Sequence, residues 1–413
     1  MSINQVESVF QKEEERKKTI NLQVGWDTDL GGTPVQISSL DGKPTNYDIF
    51  GRLLKPNQDR KILVPFLEHD GCLIGMADGH GTRSEEVADL CEKMMIELIE
   101  TKMDRILINP VEFLEFAFDY IHEEIIKTYT CGTTFSLIII LGKKMWIANV
   151  GDSTGILCAK HPIFKKSDLA FEKDVAIPEK MYETKKADDD KLSNYIVLTS
   201  EDHSPEDPEE YKRMRAFKPS KENPLHAELL CIYDKQGMPK TMCEHVFDIS
   251  EDGTPTVRTD VTDYYCKNVR KEKATYVCGR GSPLALAGTR SLGDIELHNL
   301  GLTHKPIIRS MDLNKVFMDL RSQVSATARE EDPDPTTVCV VLATDGVWDN
   351  WIYDHVQKFV MDKSCLKAIE KDKILGAQRV CKSFMLRNQA FGKKNFGNSS
   401  DNATGIVLYI TEV

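Results

Sequence analysis

The segments Ser136–Leu141 (SLIIIL) and Val338–Ala343 (VCVVLA) are apolar without alternation. A strand with one face in water alternates apolar and polar residues, so these unbroken runs need cover on both faces. Any fold of this chain must therefore bury central strands between two further layers. Candidate cover lies nearby. Val87, Leu90, Cys91, Met94, Met95, Leu98 and Ile99 recur with a helical period, and Leu114, Ala117, Phe118, Ile121 and Ile125 do so behind Pro110. Thr133–Leu141 and Met145–Val150 flank the turn Gly142-Lys143-Lys144 and read as a hairpin. Further strands are expected at Ile62–Phe66, Leu73–Ala77, Ile196–Thr199 and Ile406–Ile410. Strands cluster and helices come in pairs, with no regular βαβ repeat. The expected fold is α+β: a β-sandwich of two mainly antiparallel sheets flanked by pairs of helices.

A length of 413 residues fits roughly two to three domain-sized units, or one large domain with insertions. The second reading is adopted: an N-terminal arm over residues 1–30 and one domain over 31–413, with insertions at about 159–195 and 215–283. The first insertion is dominated by Lys and Asp. The second contains Phe217, Tyr233, Phe247, Tyr264, Tyr265 and Tyr276, so part of it should fold. With 53 Lys+Arg against 65 Asp+Glu the formal charge is −12, which lacks the basic footprint of a nucleic-acid binder. No apolar run approaches the ~20 residues of a membrane span, and the polar N-terminus lacks a signal-peptide core. The 11 cysteines are odd in number, without a C-x-x-C pair, and several sit in apolar runs as small hydrophobes. The expected location is intracellular, cytoplasmic or nuclear.

Chemistry is concentrated in aspartates beside apolar strands: Asp78 after CLIGMA, Asp152 after MWIANVG, Asp345 after VCVVLAT, and Asp401 just before GIVLYI. Taken singly, an aspartate beside glycine or asparagine is a turn former. Together, strand ends facing one way would gather carboxylates that repel one another, and a hard cation with oxygen ligands is the usual remedy. Mg²⁺ or Mn²⁺ suits such a set.

The blocks in which these residues stand resemble the metal-dependent protein phosphatase 2C family. MADGHG at 76–81, CGTTFSLIII with IANVGDSTGIL, LTSEDHSPEDPEEYKRM at 198–214, LALAGTRSLGD at 284–294, LATDGVWDNW at 342–351 and SSDNATGIVLYI at 399–410 follow one another in family order. The resemblance implies hydrolysis of phosphoserine and phosphothreonine in phosphoproteins by a water activated between two metal ions, Mg²⁺ or Mn²⁺. It implies that Asp78 and the Gly79 carbonyl, with Asp345, Asp401 and Asp48, hold the pair. Asp152, Asp345 and Asp349 would match a third, weaker site found in some members. His80 matches the residue proposed to protonate the leaving alkoxide, and Glu210 and Arg213 stand at the family's offsets.

Departures are concentrated in the opening block, SSLDGKPTNYD. Tyr47 precedes Asp48 where the family has glutamate, and Lys43 stands where it has a phosphate-clamping arginine, with Arg52 or Arg60 as candidate substitutes. Thr289 replaces a serine in the fourth block, while Arg290 is kept. The alternative to an active phosphatase is a pseudophosphatase acting as a scaffold or binding module. A carboxylate-rich metal binder without catalysis would leave the block order unexplained. The arm and the insertions are candidate docking elements for a partner; the same charge would serve a solvated surface equally well.

Overall fold

The computed structural model describes residues 19–31, 56–66, 68–162, 171–172, 195–200, 202–217, 229–235, 237–280, 284–324 and 336–413. Two antiparallel sheets stack face to face. One has the order β1-β18-β17-β7-β9, formed by Ile20–Asp29, Ala403–Glu412, Thr337–Ala343, Thr154–Ala159 and Ile196–Leu198. The other has the order β15-β4-β3-β5-β6-β16-β8. Its strands are Leu292–Gly293, Gly132–Thr133, Gly71–His80, Phe135–Leu141, Lys144–Val150, Ile307–Asp312 and Phe171–Glu172, and β2 (Asp59–Phe66) also pairs with β3. The α+β sandwich expected from the sequence is the one observed.

The unbroken apolar runs are explained by two buried faces on each central strand. Ile138 and Ile140 of β5 and Val338, Val340 and Leu342 of β17 point into the space between the sheets. Leu137 and Ile139 face the opposite way, against helices α1 (Ser84–Ile108) and α2 (Pro110–Ile126). Cys339, Val341 and Ala343 face outward against α6 (Asp345–Trp348), α7 (Tyr353–Val360), α8 (Lys363–Lys371) and α9 (Gly376–Asn395). The entry to α2 follows from local chemistry. The Asn109 side chain accepts from Glu112 N at 3.2 Å, and Pro110 takes the first turn, where its missing N–H costs nothing.

Two boundaries differ from the sequence reading. Ile20–Asp29 was assigned to the arm, yet it pairs along its length with β18, from Ile20↔Glu412 to Asp29↔Ala403. Its partner lies at the far end of the chain, so nothing local marked it as a strand. In the second insertion, β10 (Leu229–Tyr233), β13 (Thr275–Gly279) and β14 (Ala285–Leu286) form a small sheet beside the hairpin of β11 (Phe247–Ile249) and β12 (Pro255–Val257). Tyr233, Phe247 and Val277 pack there with Met214, on α3 (Pro208–Ala216), and with Leu297 on α4 (Ile295–His298). Helix α5 (Leu313–Val324) adds Val316, Phe317 and Leu320 to the edge of the inter-sheet core. The first insertion lies almost wholly outside the described residues. Among these residues, no helix is long and apolar enough to cross a membrane.

Phe118 of α2 meets Phe135 of β5 with ring centroids 5.0 Å apart, both rings fully buried. Phe118→Ala should lower unfolding free energy by about 3–5 kcal/mol in urea titration. A loss below about 1 kcal/mol would mean that the helix layer is loosely packed.

Candidate functional site

Strand ends place the aspartates together. Asp78 closes β3 and Asp59 opens β2, directly opposite in the antiparallel register. Asp345 begins α6 immediately after β17, and Asp401 precedes β18, the neighbour of β17. Glycine is needed for this approach. A Cβ on Gly346 would sit 1.9 Å from the Asn402 carbonyl oxygen, and one on Gly79 would sit 2.6 Å from that of Ser84. Asn402 ties the ends together: its Oδ1 accepts from Gln58 N at 3.0 Å, and its Nδ2 donates to Leu30 O at 2.6 Å. Asp152 lies in the turn between β6 and β7, where Gly151 takes a φ of 93°.

The electrostatics are those of crowded anions. Burial pushes the Asp78 carboxyl well above the usual range, and Asp59, Asp345, Asp401 and Asp152 push it further. Burial does the same to Asp345, reinforced by Asp152, Asp349 and Asp401. Asp59 is pushed up to about 6 by burial, against hydrogen bonds that favour its ionised form. Asp349 is pushed up to about 7 by burial, although Lys267 and Arg270 oppose it. Asp59 Oδ2 accepts from Thr344 Oγ1 at 3.0 Å, while the buried Oδ1 has no hydrogen-bond partner. An all-oxygen set with an orphaned carboxylate oxygen fits a hard dication. Asp59, Asp78, Asp345, Asp401 and the Gly79 carbonyl could hold one or more.

Two residues beyond Asp78, at the same end of β3, His80 Nε2 lies 2.6 Å from Asp294 Oδ2, which also accepts from Ser291 Oγ at 2.6 Å. Burial pulls the imidazole pKa down, but the Asp294 carboxylate outweighs it and the net shift is upward. Asp294 is held in a left-handed conformation, φ 47°. Behind it, Gly293 N donates to His122 Nδ1 at 3.1 Å, and His122 stacks on His304 and His298 with centroids 3.9 and 4.5 Å away. His298 Nε2 meets Ser291 O and His304 Nε2 meets Asp119, each at 3.1 Å. Ligand atoms of the three lie within 4.8 Å of one another. The stacked rings, however, set their lone pairs side by side and do not aim them at one point, so the trio is a packing unit. Burial holds His122 near 3 and His298 near 4, both uncharged at neutral pH.

Glu210, Arg213, Thr289 and Arg290 form a separate buried staple. Arg290 Nε, Arg213 Nη2 and Thr289 Oγ1 all donate to Glu210 Oε2, at 3.0, 2.9 and 2.8 Å. Burial alone would raise the Glu210 pKa; the two guanidinium groups hold it far below the carboxylate range. The staple joins α3 to the strand-like segment before α4 and explains why Thr289 serves in place of serine: its hydroxyl is what the site uses.

Of the residues singled out from sequence, Asp78, Gly79, His80, Asp152, Asp345, Asp349 and Asp401 belong to this neighbourhood. Lys43, Tyr47 and Asp48 lie outside the described residues. Arg60 is no substitute for an arginine at the site: it donates to the Asn57 and Asp59 carbonyls at 2.8 and 2.7 Å and pairs with Asp89 of α1, on the helix side of the sheet. Asp59 was passed over. Counting back along the hairpin from Phe66↔Gly71 places it opposite Asp78, which was the available signal. Asp202 and Asp294 stand in the blocks at 198–214 and 284–294 but were given no role, while Lys267 is brought in by tertiary contacts alone. Burial raises the pKa of Asp202. Burial lowers that of Lys267, but Asp152, Asp202 and Asp349 reverse the effect, and the net shift is upward.

Carboxylates thus gather at the strand ends of a two-sheet sandwich, and comparison with known proteins shows what the chain is similar to. Residues 67–223 match the family model for protein phosphatase 2C. Two curated Arabidopsis thaliana proteins are similar: probable protein phosphatase 2C 35 at 28% identity over 112 residues, and probable protein phosphatase 2C 28 at 31% over 110. Each match covers 26% of this chain and 32% of the relative, so it spans about a third of the relatives' length. A crystal structure of serine-threonine phosphatase 2C from Toxoplasma gondii matches in fold, with a TM-score of 0.50, 14% identity and 94% of both chains covered. Residues 67–223 therefore resemble protein phosphatase 2C in sequence, and the described fold resembles that of a phosphatase 2C structure.

Glu210→Gln leaves two buried guanidinium groups without their anion and should cost about 3–5 kcal/mol in denaturant unfolding. A loss near zero would remove the staple from the account. The histidine trio has folded pKa values below the ordinary value near 6.5, so the unfolded chain binds protons that the folded one refuses. Its stabilising effect is complete above pH 6.5 and is lost as pH falls toward 4. Melting temperature should therefore drop across that window, and less steeply in His122→Phe; identical slopes would contradict the burial of a neutral His122.

Proposed function

We propose that this chain is a metal-dependent protein serine/threonine phosphatase. The observation that carries the reading is the meeting of Asp59, Asp78, Asp345 and Asp401 at four chain ends, with Asp59 Oδ1 buried and unpartnered. Asp59, Asp78, Asp345, Asp401 and the Gly79 carbonyl would hold the Mg²⁺ or Mn²⁺ pair. When bound, such ions supply charge to the phosphoryl oxygens and acidify a water toward hydroxide. On the β2–β3 register, Asp59 takes the role that the sequence alignment gave to Asp48, and Gln58-Asp59 replaces Tyr47-Asp48 as the end of the opening block.

The chain's own residues handle the leaving group. Water adds at phosphorus, the bond to the serine or threonine oxygen breaks, and that oxygen needs a proton. Asp294 engages Nε2 and, against burial, raises the His80 pKa, which favours the protonated ring whose Nδ1–H can be given to the leaving oxygen. Ser291 and the left-handed turn at Asp294 hold the carboxylate in place. The products are inorganic phosphate and a free hydroxyl side chain, with no phosphoenzyme.

Hydrolysis of a phosphothreonine peptide should require Mn²⁺, fall to background in Asp59→Asn, and lose about 10²-fold or more in kcat in His80→Gln. Absence of turnover in a folded chain that binds Mn²⁺ would favour the scaffold alternative. Undiminished turnover in Asp59→Asn would overturn the register-based assignment.

A further inference from the structure

The carboxylate cluster is not uniform. At the end formed by Asp152 and Asp349, a lysine from the second insertion enters: Lys267 Nζ lies 3.7 Å from Asp152 Oδ2. Asp202, Asp349 and Glu272 also act on it electrostatically. No lysine or arginine was expected there from sequence, since Lys267 lies far from every block that carries an aspartate.

The lysine is placed by a rigid loop. Lys267 N donates to Glu272 O at 2.8 Å, and Asn268 Oδ1 accepts from Arg270 N at 3.0 Å and Glu272 N at 3.3 Å, closing a tight turn in which Lys271 takes a φ of 63°. The turn is fastened to α6 and the chain that follows it. Val269 N donates to Asp349 O at 3.0 Å, and Arg270 Nη1 donates to Trp351 O at 3.0 Å and also to Trp348 O. The Arg270 guanidinium lies 4.8 Å from the centre of the Tyr353 ring, and its Nε donates to Glu272 Oε1 at 2.9 Å. A surface lysine left to solvent would need none of these contacts. Here they fix the stem that carries the ammonium to Asp152.

We propose that Lys267 is a built-in cation: its ammonium occupies the Asp152–Asp349 end of the cluster in place of a metal ion and confines dications to the end formed by Asp59, Asp78 and Asp401. The inference deepens the metal-dependent reading and rests on it. An ammonium beside Asp152 satisfies the same excess of negative charge that a dication would, and it repels a dication seeking the same oxygens. Asp345 is influenced by Asp152 and Asp349 from one end of the cluster and by Asp401 from the other.

The test counts Mn²⁺ bound per full-length chain, by electron paramagnetic resonance of free Mn²⁺ during titration. Lys267→Ala should bind one ion more than the wild-type chain, Lys267→Arg should bind the same number, and adding Asp152→Asn to Lys267→Ala should remove the extra ion. An unchanged count in Lys267→Ala overturns the proposal. Should that variant not fold, Asp152→Asn in the wild-type background decides: an unchanged count supports the proposal, and the loss of one ion contradicts it. Failure of the metal reading itself is distinct, since the wild-type chain would then bind no Mn²⁺, whatever Lys267→Ala adds.

Discussion

Like charges forced together at the strand ends are the constraint on which the rest of this structure depends. Four strands of a sandwich end on one side, and each end carries an aspartate. Burial and mutual repulsion push Asp78 and Asp345 well above the ordinary carboxylate range, and Asp59 up to about 6. Such an arrangement destabilises the fold unless cations are supplied. Its persistence is bought by the apolar layers around it, where Ile138, Val340 and Leu342 have no contact with water.

The supply of positive charge then differs along the cluster. One end is met by Lys267, fastened through Arg270 and Val269 to the carbonyls around α6. At the other end, Thr344 Oγ1 donates to the Asp59 carboxylate. His80, two residues beyond Asp78, has its own anion in Asp294, which raises the pKa of the ring against burial. On the proposed reading the chain separates three tasks: holding metal, neutralising surplus charge, and delivering a proton. The Glu210–Arg290 staple, although it lies within a family block, serves architecture: all its polar contacts turn inward.

Much of this was legible in the sequence, and for physical reasons. Continuous apolar runs at 136–141 and 338–343 imply strands with two buried faces, and the helical repeats of Val87–Ile99 and Leu114–Ile125 imply their cover. Asp78, Asp345 and Asp401 were visible because each adjoins such a run. Asp59 was not, because the opening block lacks an apolar strand ending at an aspartate; its place follows only from cross-strand register. Ile20–Asp29 was read as arm because its partner, β18, lies at the far end of the chain. Lys267 was invisible for a similar reason. A lone lysine in an insertion carries no periodicity, and its meaning lies wholly in contacts made after folding.

The most direct test of the account is an anomalous difference map from crystals soaked in Mn²⁺. The account predicts strong peaks among Asp59, Asp78, Asp345 and Asp401, with density for the Lys267 ammonium and no peak beside Asp152. Peaks absent from the Asp59–Asp78 pair would contradict the claim that these crowded carboxylates exist to hold dications.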